Sequence, residues 1–182
     1  MKKIILTSAI IFGVVAATFA QTSSATTTLN VNLSPLQTIE VNNSVVNLNY
    51  STKDHYKNGV TEKRDNHLTV YSTGGFEVRV KAETDAMNLG GAATNGQMET
   101  SKISVKASEG STNVLGGSAY AGDVPLGAND KTLFSNKTGG VDKNFAVTYQ
   151  GAGGDAFVNN YNNKGVGASV YTTTVTYSIV AK

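Results

Sequence analysis

The chain has 182 residues, with nineteen glycines, two prolines, no tryptophan and no cysteine; thiol and disulfide chemistry are excluded, and the length suits one domain. Its formal charge of +2 rests on Lys2 and Lys3, without which thirteen basic residues balance thirteen acidic ones. With no basic cluster either, neither a nucleic acid nor an anionic membrane is an expected partner.

The first twenty residues, MKKIILTSAIIFGVVAATFA, place two lysines before an apolar run and end in small residues, the pattern of a cleaved signal peptide. The expectation is an exported single domain over 21–182, in the periplasm, at the outer surface or outside the cell. The apolar run is short for a membrane span and no second one follows, so no membrane insertion is expected. No cysteine follows Ala20 to take a lipid anchor.

Beyond the leader, short alternating runs predict strands. TTTLNVNL sets Leu29, Val31 and Leu33 on one side, and LQTIEV and SVVNLNY come next. HLTVYS and GFEVRVKAE read as a hairpin through Thr73, Gly74 and Gly75, the glycines supplying positive φ. In the second of these, Phe76, Val78, Val80 and Ala82 alternate with Glu77, Arg79, Lys81 and Glu83, so one face is buried and the other wet. KISVKAS, KTLFS and NFAVTYQ are further strands, set among Gly- and Asn-rich loops. The last, ASVYTTTVTYSIVAK, alternates Val175, Tyr177 and Ile179 with threonines and serine. No helix of three turns is apparent. About nine strands predict an all-β protein, an immunoglobulin-like antiparallel sandwich. An outer-membrane barrel would want longer lipid-facing strands and aromatic girdles.

The inventory for catalysis is thin. His55 and His67 lie in polar stretches and read as surface residues; no Gly-x-Ser-x-Gly elbow and no zinc-type histidine spacing accompanies them. No enzyme, cofactor or metal site is expected. GAGGDA at 151–156 fits a dinucleotide fingerprint in form, but FVNNYNN after it is a poor helix start, and Asp155 reads as a turn residue. Tyr161, flanked by Asn160 and Asn162, offers a ring beside amides, the groups that hold sugars; the same asparagines also suit a plain turn.

The leader, TTTLNVNLSPLQTIEV, HLTVYSTGGFEVRVKA and the closing VYTTTVTYSIVA together resemble bacterial exported β-sandwich surface proteins: fimbrial-type subunits, spore-coat-U-like proteins and WxL-type wall-binding domains. The cysteine pair of fimbrial subunits and the tryptophan of WxL domains are absent, so no binding residue carries over. The resemblance implies a structural or adhesive cell-surface protein, such as a fimbria-like subunit joined to itself or other surface subunits by strand pairing. The candidate pairing residues are Leu29, Val31 and Leu33 or Val175, Tyr177 and Ile179; the alternative is a carbohydrate- or peptidoglycan-binding module using the Tyr161 loop.

Overall fold

Alternation of apolar and polar side chains in the central segments gives each strand one face that water cannot reach, and two such faces close on each other. The computed structural model describes residues 23–90, 96–161 and 167–182. The leader therefore lies outside the described residues. The chain divides after Leu33; the described part of the first unit, residues 23–33, contains no helix or strand.

The second unit, Ser34–Lys182, contains β1 (Gln37–Val41), α1 (Lys53–Asn58), β2 (Val60–Ser72), β3 (Phe76–Ala82), β4 (Ala86–Gly90), β5 (Met98–Glu99), β6 (Ile103–Glu109), β7 (Ala119–Tyr120), β8 (Val124–Pro125), β9 (Lys131–Asn136), β10 (Gly140–Gly151), β11 (Val170–Thr172) and β12 (Val175–Ala181). One sheet has the order β1-β2-β10-β6-β8, the other β12-β3-β9-β7, and a small sheet β11-β4-β5 adjoins in sequence. Every pairing is antiparallel. The all-β sandwich is thus present, with twelve strands among the described residues rather than about nine.

The core lies between the two large sheets. Leu68, Val70, Val105, Phe145 and Val147 face Phe76, Val78, Val80 and Phe134, all essentially inaccessible. Phe134 and Phe145, from opposite sheets, have ring centroids 4.3 Å apart, and Phe76 meets both edge-on. Such pairs add about 1 kcal/mol beyond the area they bury.

Two sequence expectations change. HLTVYS and GFEVRVKAE do not form a hairpin: β2 pairs with β1 and β10, and β3 with β9 and β12. Residues 73–75 carry the chain from one sheet to the other, and neither Gly74 nor Gly75 has positive φ. Lack of side chains matters there for another reason, since a Cβ on Gly75 would lie 3.0 Å from the Lys137 carbonyl oxygen of the parallel β9–β10 corner. Secondly, TTTLNVNL and SVVNLNY have the period of strands but no ladder. Val46, Leu48 and Tyr50 still pack on the core in alternation, whereas Leu29, Val31 and Leu33 are exposed. Alternation establishes which side would be buried; a ladder needs a partner strand as well.

The short helix follows Thr52, whose hydroxyl accepts from the His55 amide at 3.2 Å, and stops at Gly59, φ 84°. No helix among the described residues is long and apolar enough to cross a membrane.

Candidate functional site

Three places collect the residues singled out in the sequence. The first is the pair of terminal segments. Leu29, Val31 and Leu33 are 84%, 75% and 90% exposed, an apolar stripe at strand spacing held outside any sheet. The C-terminal run is built into its own sandwich instead. It pairs with β3 over Val175↔Ala82, Tyr177↔Val80 and Ile179↔Val78 without a register break, and β12 ends its sheet. Ala82, Val80 and Val78 are sealed, but their cross-strand partners Val175, Tyr177 and Ile179 are only partly buried. β1 of the facing sheet packs alongside β12 on that side without a ladder to it.

The second place lies behind that edge and was not legible in the sequence. His67 is 2% exposed, which corrects its reading as a surface residue. Its Nε2 lies 2.8 Å from the Tyr149 hydroxyl, and that hydroxyl lies 2.6 Å from the Tyr177 hydroxyl. The chain of three polar groups therefore runs from β2 through β10 to β12, tying the two sheets at the flank. Burial lowers the His67 pKa, against a raising contribution from the backbone contact with Asn42, and nearby Arg64 lowers it further. Burial likewise raises the Tyr149 and Tyr177 hydroxyls. Nδ1 of His67 is buried without a hydrogen-bond partner, and the tautomer decides whether Nε2 or the Tyr149 hydroxyl is the donor in the bond they share. On the same inner face Arg64 Nε meets Glu62 at 3.4 Å.

His55 stands apart in α1, with Nδ1 3.2 Å from the Ser51 amide and 3.3 Å from its hydroxyl. That contact is local to the helix start. Among the described residues neither histidine ring has a carboxylate partner in a hydrogen bond or ion pair.

The third place is the loop after β10. Residues 154–159 are turns, so no helix begins at GAGGDA, and Asp155 has φ 59° with its amide donating to the Tyr56 carbonyl. Tyr161 is 42% exposed and its hydroxyl donates to the Gly167 carbonyl at 3.3 Å. The Asn160 carbonyl accepts from the Tyr171 hydroxyl at 2.8 Å, and Asn160 borders an open hollow of about 200 Å³ with Gln97, Glu99, Lys102 and Phe157. Asn162 lies outside the described residues. The hollow is smaller than the usual range of ligand pockets.

No protein-family model and no curated protein sequence matches this chain.

Proposed function

We propose that this protein is an exported structural or adhesive subunit of the bacterial cell surface that assembles by strand pairing between copies. The observation that carries the reading is the stripe Leu29, Val31 and Leu33, which has the period of a strand and is left exposed. Isolated apolar residues on a surface are ordinary. Three in strand register on a segment with no charge are costly in water, and main-chain pairing with a neighbour's sheet would cover them. The leader-like first twenty residues and the level charge of the remainder fit an exported assembly.

Light scattering coupled to size exclusion on residues 21–182, over a hundredfold concentration range, tests this together with an unboiled gel. The expected result is a ladder of multiples that resists detergent until heated, because a whole main-chain ladder must break at once. Replacing Leu29, Val31 and Leu33 together by Ser should abolish the ladder without altering the folded sandwich. A monomer at every concentration contradicts the proposal and moves attention to the Tyr161 loop and to glycans.

A further inference from the structure

We propose that His67, Tyr149 and Tyr177 form an acid-released latch, in which a second proton on the His67 ring loosens β12 from the sandwich while β2 and β10 stay in place. The hydrogen-bonded chain carries the argument. His67 Nε2 lies 2.8 Å from the Tyr149 hydroxyl, which lies 2.6 Å from the Tyr177 hydroxyl. Both tyrosine rings stand edge-on to the imidazole, with centroids 5.6 and 6.1 Å away. Three strands from two sheets thus meet at one enclosed ring, itself 2% exposed.

With one proton on the ring, the bond between His67 and Tyr149 forms in either tautomer. With two, both ring nitrogens are donors. Nε2 then gives its hydrogen bond to the Tyr149 oxygen, whose own hydrogen turns to Tyr177. Nδ1, which has no hydrogen-bond partner, carries an N–H into the interior, and a buried donor left unsatisfied is costly. The surroundings weigh the same way. Burial opposes the charge most, the Asn42 main chain favours it, and Arg64 of β2, beside Glu62 at 3.4 Å, opposes it. Tyr149 of β10 and Tyr177 of β12 keep their protons, because burial raises both hydroxyls.

A charged ring needs water, and the topology decides which wall yields. β2 is laddered to β1 and β10, and β10 to β2 and β6, so moving the strand of His67 or of Tyr149 breaks two ladders. β12 is laddered to β3 alone, and β1 packs alongside it without a ladder. Its side chains Val175, Tyr177 and Ile179 are only partly buried. The least costly opening that wets His67 is therefore the release of β12, a local unfolding that leaves the other strands paired.

Amide hydrogen exchange at pH 7.5 and 5.5, with each rate divided by the intrinsic rate at that pH, tests the latch. The reporters are the amides of Thr176, Ser178 and Val180. These pair with β3 between the bond from the Glu83 amide to the Thr174 carbonyl and the bond from the Lys182 amide to the Gly75 carbonyl. They should be less protected than the amides of β10 at both pH values, showing an opening of their own. Their protection should fall about tenfold at pH 5.5, one unit below the ordinary 6.5 of histidine. Equal protection in β12 and β10 means that the strand opens only with the whole protein, and overturns the proposal. So does a separate β12 opening that ignores pH, since it leaves His67 dry. Tyr177→Phe keeps the ring and loses the bond, and should lower β12 protection about fivefold at pH 7.5; unchanged protection contradicts the latch. In a folded His67→Leu chain the pH response of β12 should vanish. A response that persists there belongs to another group, such as His55 beside Ser51 at the start of α1, and also overturns the proposal.

Discussion

His67 is turned into the core by its neighbour. Leu68 pairs with Phe145 and Arg64 with Val147, so three residues of β2 oppose the single Ala146 of β10. Asn66 takes up the excess at φ 51°, and its side-chain oxygen accepts from the amides of Ser111 and Thr112 at 2.8 and 3.3 Å. That bulge places His67 and Leu68 side by side in the interior, against the strict alternation of a regular strand. KRDNH reads as a solvated stretch for this reason: the sequence period carries no mark of a bulge. The consequence is a pH dependence of stability. Because the folded His67 pKa lies below its ordinary 6.5, the unfolded chain binds a proton that the folded chain refuses. The His67 contribution is complete above pH 6.5 and is lost as pH falls below it towards the folded value. Thermal melts should show a lower Tm at pH 5.5 than at pH 7.5, with the slope reduced in His67→Leu. Glu77, held low by its hydrogen bond to Arg79, responds only below its ordinary 4.5, outside that interval.

Among the elements, the two corners where the chain changes sheet are held by close backbone packing. β2 passes to β3 and β9 to β10 side by side, so close that a Cβ on Gly139 would run into the Ser72 carbonyl oxygen. Backbone atoms cannot swing away as a flexible side chain would. Gly139→Ala should therefore destabilise the protein by about 1 to 3 kcal/mol, read as a shift in the urea midpoint, whereas Gly74→Ala, where a Cβ meets nothing within 4 Å, should change it little. The strands GFEVRVKA, KISVKAS and NFAVTYQ were legible because alternation and burial coincide in them. Their partners were not, since Gly-Gly between two strands signals a reversal equally well within a sheet or between sheets. The β7 and β8 pairs are too short for any period to show, and the first half of β2 carries Glu62 and Arg64 at its inward positions, where apolar residues would have announced a strand.

For the whole molecule, the sandwich class follows from the number of alternating runs, while the use made of the two terminal segments does not. TTTLNVNL and VTYSIVA have the same strand signature, yet among the described residues only the second has a ladder partner. That difference depends on long-range pairing, which local composition does not specify. It is also what makes assembly the central claim: a segment with the period of a strand is left exposed and without a ladder. Amide hydrogen exchange on residues 21–182, at concentrations well below and well above the onset of assembly, tests that claim most directly. The amides of residues 27–33 are expected to exchange freely in the dilute protein and to gain protection with concentration. Assemblies whose 27–33 amides still exchange freely, or full protection of that segment in the dilute monomer, would contradict it.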